Sequence, residues 1–114
     1  MKFSIADIRS HERGRIYEIV ADGKTVAILL TFHALQRIGE WRLKVRSVLQ
    51  TLVFPEEVLR GHRDRFIAHR RMRARVLRAV YEYEGPMPVV ITVYCPSAKR
   101  YFQGGKTHED LILS

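Results

Sequence analysis

The sequence predicts an α+β domain in which two helices pack on one face of an antiparallel sheet of four to six strands. Three patterns support this class: a hairpin at 14–30, two helical segments after it, and a change of hydrophobic period from 3.6 to 2 after Pro55. A chain of 114 residues suits one domain, 1–114. We place its core at about 14–102 and expect a flexible tail at 103–114, unless the apolar end of the tail docks on a partner or on the domain.

The first elements are a hairpin and a helix. The apolar stretches RIYEIV and TVAILL flank Asp22-Gly23, a strong signal for a tight turn. Thr31 suits the N-cap of a helix through FHALQRI, and Gly39 is placed to end that helix. In KVRSVLQTLV, apolar residues recur at i, i+3, i+4, i+7 and i+8, which predicts a second, amphipathic helix.

Strands follow the second helix. Segments rich in Val, Ile, Phe and Tyr lie at 56–60, 65–71, 76–84 and 88–95. Their short connectors favour an antiparallel meander. The last segment is apolar on both faces, so we expect it at the centre of the sheet.

The charge of the chain is concentrated in one segment. Residues 60–78 hold eight arginines and one acid, Asp64, a local charge of +7 against a net charge of +8 for the whole chain. Arginine binds phosphates through two parallel hydrogen bonds. The segment therefore predicts a surface that faces a polyanion, and a solvated edge that discourages aggregation is the alternative.

Two sets of side chains combine proton transfer with phosphate binding. His33 and Arg37 are spaced i, i+4 on the first helix, where a proton donor or acceptor would lie beside a cation, or both would simply be solvated. In the strand 65–71, Arg65, His69 and Arg71 share a face and point outward if the other face is buried.

The opposite face of that strand offers a second arrangement. If a ligand groove lies on the sheet, Arg70 follows Phe66 into it. The segment RMRAR is interpreted as a basic hairpin tip or a strand extension, and Glu56 and Glu57 as surface acids at the start of a strand rather than a catalytic pair.

Tyrosines at strand positions are suited to stacking on bases, or else form part of the core. They are Tyr81, Tyr83, Tyr94 and Tyr101. The cluster Lys99-Arg100-Tyr101 adds two cations and a phenol at a sheet end.

Other chemistries find little support. The histidines lack metal-ligand spacing, and neither a glycine-rich phosphate loop nor a nucleophile elbow occurs, so we expect no metal and no cofactor. A single cysteine, Cys95, excludes an internal disulfide and fits a reducing compartment. No apolar run is long enough to span a bilayer, so we expect a cytoplasmic protein without a membrane partner.

The order of motifs is also informative. FHALQRIGEWRL is followed by an amphipathic helix leading into PEEVL, then by RDRFIAHRR, VLRAVYEYEG, VVITVY and KRY. This order, over about 26–102, resembles an uncharacterised prokaryotic family with an H-A-x-x-R motif, itself similar to the RelE/ParE toxin superfamily.

The resemblance implies a RelE-like fold and a metal-independent endoribonuclease that cuts mRNA, often on the ribosome, as the toxin of a toxin–antitoxin pair. The implied partners are RNA and an acidic antitoxin. A second copy of the chain, forming a homodimer, is a further candidate partner. The implied catalytic residues are His33, Arg37, Arg65, Arg70, Tyr81 and Tyr101. The nucleic-acid-binding candidates are Lys99 and Arg100, which the resemblance implies, and arginines of the basic segment, namely Arg63, Arg71, Arg73, Arg75 and Arg78.

Two alternatives remain beside the ribonuclease. One is a non-catalytic module that binds nucleic acid or protein through the arginine segment. The other is a toxin that poisons a protein target such as gyrase. Fold alone does not separate these functions, because one fold carries many sites.

Overall fold

The computed structural model describes residues 2–113, which form a sheet of seven strands in the order β1-β2-β3-β7-β6-β5-β4. The strands are β1 Phe3–His11, β2 Gly14–Ala21, β3 Lys24–Thr31, β4 Glu57–Arg60, β5 Phe66–Met72, β6 Arg75–Glu84 and β7 Met87–Tyr94. The helices are α1 Phe32–Glu40, α2 Val45–Val53 and α3 Ala98–Tyr101. The predicted fold class is therefore wrong, because the sheet is larger, is mixed and dominates over three short helices.

Two features account for the larger, mixed sheet. β1 adds an edge strand along β2, and its register shifts between Ile5 and Asp7. This bulge interrupts the alternation of apolar and polar residues, so the pattern did not predict a strand there. β3 pairs with β7 in parallel through Leu29–Val89 and Leu30–Val90, a long-range contact that no local pattern predicts.

The local predictions for the first half of the chain are mostly confirmed. Asp22 and Gly23 have φ values of 51° and 72°, as a type I′ turn between β2 and β3 requires. The Thr31 hydroxyl caps α1 by accepting a hydrogen bond from the backbone N–H of Ala34 at 3.1 Å. Gly39 does not end α1, which continues one residue beyond it.

The meander of the second half is confirmed. β4, β5, β6 and β7 pair in sequence and antiparallel, and β7 is the fourth of the seven strands. α1 and α2 cover one face of the sheet, here called the helix face. Its core includes Ala34, Ile38, Leu49 and Leu52 of the helices with Leu30, Ala68 and Ala79 of the strands. None of the helices in residues 2–113 is long and apolar enough to cross a membrane.

Residues 102–113, here called the strap, pass around the edge strand β4 to the helix face. Residues 107–109 run beside β4, and their backbone hydrogen bonds to Val58 measure 2.8 and 3.0 Å. Farther on, Ile112 and Leu113 pack against the core. The apolar end of the tail therefore docks on the domain itself.

Candidate nucleic-acid interface

Cross-strand pairing gathers basic and aromatic side chains on the face of the sheet opposite α1 and α2. His69 of β5 pairs with Arg78 of β6, and Arg78 pairs with Tyr94 of β7. Directly paired residues of antiparallel strands point to the same face. The next pair along the same two strands, Ala68 and Ala79, points to the opposite side and lies in the core of the helix face. The side with Arg78 is here called the arginine face.

A cleft of about 510 Å³ opens on the arginine face. Its lining consists of Gly61, His62, Arg63, Arg65, Ile67, Arg78, Val80 and Tyr94. Three of these are arginines, and His62 adds an imidazole to the lining. The carboxylate of Glu82 forms an ion pair with Arg65 at 3.7 Å and offsets one of these charges. Arg63 and Arg78 also line this arginine cleft, so it remains cationic.

Two guanidinium groups in the cleft have donors to spare. The Arg78 guanidinium lies 5.2 Å from the Tyr94 ring centroid and 4.5 Å from that of Tyr101, so cation–π contacts hold its plane in place. The Nε atoms of Arg65 and Arg78 are buried and have no hydrogen-bond partner within residues 2–113. Both arginines line the cleft, so the cleft is suited to an anion that accepts hydrogen bonds from their guanidinium groups.

The loop between β4 and β5 carries backbone strain at the rim of the cleft. Arg63 and Asp64 both have φ of 58°, in the left-handed region that suits glycine. Neither residue is glycine, so the loop holds an arginine at the cleft at a conformational cost. Strain of this kind is concentrated at functional sites.

The helix-borne pair lies elsewhere. His33 and Arg37 are exposed on α1, and Arg37 lies 3.3 Å from Glu40. Neither residue lines the arginine cleft. The structure thus separates the proposed proton-transfer histidine from the arginines that were expected to serve it.

Two more predicted catalytic residues belong to the helix face. Arg70 donates a hydrogen bond to the carbonyl oxygen of Phe54 at 2.8 Å, just past the end of α2. Tyr81 is fully buried in the core, and its hydroxyl donates to the carbonyl oxygen of Asp110 at 3.2 Å. Burial raises the pKa of Tyr81, and the Asp110 carboxylate adds to this effect. In this structure both residues stabilise the fold, and the buried ring of Tyr81 cannot stack on a nucleobase.

Several of the remaining predicted residues lie at or near the arginine cleft. Arg65, Arg63 and Arg78 line the cleft, and Tyr101 stacks on Arg78. Lys99 and Arg100 are exposed on the same short helix as Tyr101.

The arginines at and beyond the end of β5 have other partners. Arg71 contacts the Glu56 carboxylate at 2.9 Å, and hydrogen bonding to Arg71 lowers the pKa of Glu56. Arg75 donates to the carbonyl oxygen of Cys95 at 2.9 Å. Arg73 lies in the turn between β5 and β6, so RMRAR forms the hairpin tip that the sequence predicted.

One buried pair lies beside the cleft. His69, expected to point outward, is fully buried, and its Nδ1 lies 2.6 Å from Oε2 of Glu57, which is buried as well. Burial lowers the pKa of His69 despite Glu57. For Glu57, burial opposes ionisation, but hydrogen bonds from His69 and from the strap outweigh it and lower its pKa. The expectation of a surface acid at Glu57 is therefore wrong, because the strap covers this side chain and no local sequence pattern reveals that contact.

The part of the chain that carries this site matches a known family. The model of the domain of unknown function DUF4258 matches residues 30–95, more than half of the chain. The chain belongs to this family. No curated protein and no solved structure matches the chain. The DUF4258 region includes the lining of the arginine cleft and the Glu57–His69 pair, whereas β1 and the strap lie outside it.

Proposed function

We propose that this DUF4258 protein binds RNA by holding phosphate groups in the arginine cleft. The observation that carries the proposal is the convergence of Arg65 and Arg78 on one cleft, where neither Nε has a hydrogen-bond partner within residues 2–113. A phosphate supplies acceptor oxygens and the opposite charge together, which makes the hydrogen bonds stronger than neutral ones. The cleft's third arginine, Arg63, adds a cation at the rim.

Single-stranded RNA fits the aromatic surroundings of the cleft. Tyr94 lines the cleft, and the rings of Tyr94 and Tyr101 both contact the Arg78 guanidinium group. Proteins hold single strands by combining cations along the backbone with aromatic rings that stack on bases. We expect a cytoplasmic RNA target, which accords with the single reduced cysteine.

We also propose that the bound RNA is cleaved without a metal, as by the RelE-like toxins that the sequence resembles, and that an acidic antitoxin silences the activity. Such cleavage needs cations at the phosphate and groups that move protons near neutral pH. His62 lines the cleft with three arginines, whereas His33 does not line it. Within the proposal, His62 therefore replaces His33 as the acid–base group of the cleft.

Binding is tested with a fluorescent single-stranded RNA. We expect Arg65→Gln and Arg78→Gln each to raise Kd about tenfold and to reduce the salt dependence by about one phosphate contact. Arg15→Ala is the control, because Arg15 is exposed on β2 and is not part of the cleft lining. Equal affinities for all four proteins would contradict RNA binding by the cleft.

Cleavage is tested on the same RNA in EDTA. We expect His62→Ala to lower the rate at saturating RNA by about a hundredfold and His33→Ala to leave it within about twofold. Loss of activity in His33→Ala alone would move the site back to α1.

A second candidate is a binding module without catalysis, favoured by the position of His33 and Arg37 away from the cleft. It predicts salt-dependent binding and no RNA product. Arrested bacterial growth with intact RNA would instead favour a toxin that acts on a protein target.

A further inference from the structure

A carboxylate and an imidazole form a buried pair next to the arginine cleft. Glu57 and His69 are both fully buried. His69 lies opposite Arg78 in the β5–β6 ladder, and Arg78 lines the cleft together with Arg65. The pair is therefore on the same face as the phosphate-binding arginines, directly beside one of them.

The pair is arranged so that one ring nitrogen can accept a proton. Glu57 is ionised and His69 neutral, because the pKa of each is lowered. The proton of the imidazole then lies on Nδ1, facing the carboxylate at 2.6 Å, and Nε2 carries the lone pair. Nε2 is buried and has no hydrogen-bond partner within residues 2–113. Arg78 opposes protonation of this ring, whereas Arg71, on the same strand, forms an ion pair with Glu56.

The beginning of the strap covers the pair. The backbone N–H groups of Gln103 and Gly105 donate to the two carboxylate oxygens of Glu57, each at 2.8 Å. The Phe102 ring lies 6.4 Å from the His69 ring, centroid to centroid. Arg71 lies over the same phenyl ring at 4.6 Å. The strap is thus attached to the pair by two hydrogen bonds and an aromatic contact, and it closes the pair from solvent.

We propose that His69, oriented by Glu57, is the general base of the RNA-cleaving site and that Phe102–Gly105 keep it closed until the strap is displaced. This inference rests on the proposed ribonuclease activity. His69 Nε2 takes the proton of a ribose 2′-hydroxyl, and O2′ bonds to the phosphorus. The bond from phosphorus to O5′ breaks, and O5′ takes a proton from His62. The products are a 2′,3′-cyclic phosphate and a 5′-hydroxyl.

The closed strap is tested with Phe102→Ala, which removes the ring above His69. We expect kcat for RNA cleavage to rise at least fivefold, with Kd for RNA within about threefold of the parent. Phe32→Ala is the control, because Phe32 is a similarly large but exposed side chain on α1. A Phe102→Ala protein no faster than the parent would contradict the closing role of the strap.

The base is tested by adding His69→Gln to Phe102→Ala. We expect kcat to fall by about a hundredfold and the acidic limb of the pH–rate profile to disappear, while RNA binding persists. If the double variant does not fold, Glu57→Gln replaces it: the shape of the pair stays, and we expect a lower kcat and a displaced acidic limb.

The outcomes separate this inference from the proposed function. If the His69→Gln or Glu57→Gln protein cleaves RNA with an unchanged rate and pH profile, His69 is not the general base, and the proposed ribonuclease activity still stands. Binding without cleavage by any variant refutes both the base and the ribonuclease but leaves RNA binding. If every cleft variant binds RNA as tightly as the parent protein, the RNA-binding proposal itself is refuted.

Discussion

His69 Nδ1 lies 2.6 Å from Glu57 Oε2, and neither side chain is exposed to solvent. The contact joins β4 to β5, and the strap attaches to the same carboxylate. A charged group and a titratable ring are thus buried where the edge of the sheet meets the C-terminal segment. The pair links the stability of the fold to pH, because each group is harder to protonate in the folded chain.

We expect the free energy of unfolding to fall as the pH is lowered through about 6.5 and again below about 4.5, the ordinary pKa values of histidine and glutamate. The folded pKa values of His69 and Glu57 are both lowered, so the unfolded chain binds more protons and acid favours it. Stability is therefore greatest above pH 6.5, and each proton contributes a slope of at most about 1.4 kcal/mol per pH unit. Urea unfolding between pH 4 and 8 measures this dependence.

The control for this prediction is a pair of histidine variants. His69→Gln is expected to remove the step near pH 6.5, whereas the exposed His33→Ala is expected to keep it. Stability that stays constant from pH 7.5 to 5 would show that His69 is not buried as a neutral ring.

The strained loop gives a prediction with an internal control. Arg63→Gly and Asp64→Gly both relieve a φ of 58°. We expect Arg63→Gly to raise the free energy of unfolding by about 0.5–1 kcal/mol, and Asp64→Gly by less, because aspartate tolerates this conformation better. Only Arg63→Gly should weaken RNA binding, since it alone removes a cation from the cleft. Stability and Kd are measured on the same samples, and equal loss of binding in both variants would point to loop geometry instead of charge.

Arg65 lines the arginine cleft and Arg70 lies on the helix face, so the two should behave in opposite ways. Arg70→Ala removes a charged donor from the Phe54 carbonyl, so we expect a loss of about 1.5 kcal/mol in stability and an unchanged Kd for RNA. Arg65→Ala should raise Kd about tenfold and change stability by less than about 0.5 kcal/mol. Denaturation and RNA titration of the two variants check that one substitution changes stability and the other RNA affinity. A single diffuse basic surface would not separate the two effects.

Tyr81 and Tyr101 make a similar contrast. Tyr81→Phe removes a buried hydroxyl that donates to Asp110, so we expect a loss of about 1 kcal/mol in stability and no change in RNA binding. Tyr101→Ala should weaken RNA binding, because it removes one of the two rings that hold Arg78. Reduced RNA affinity in folded Tyr81→Phe would show that the buried ring is linked to the site after all.

Much of the local structure was predictable because it depends on neighbours in sequence. The Asp22-Gly23 turn and the Thr31 cap formed as expected, since each requires only a few adjacent residues. The alternation along β5 was also correct: His69 lies on the arginine face and Arg70 on the helix face. The strand β1 was missed because its bulge breaks the alternation on which the prediction depends.

By itself, the sequence determined the turn, the capped and amphipathic helices, the central β7 and the concentration of arginines at 60–78. The tertiary structure alone decided which arginines share a cleft, and it separated His33 from them. It also buried His69 beside Glu57, beneath Phe102. The physical reason is that alternation shows which residues share a face, whereas long-range packing of helices and strap decides which face is covered.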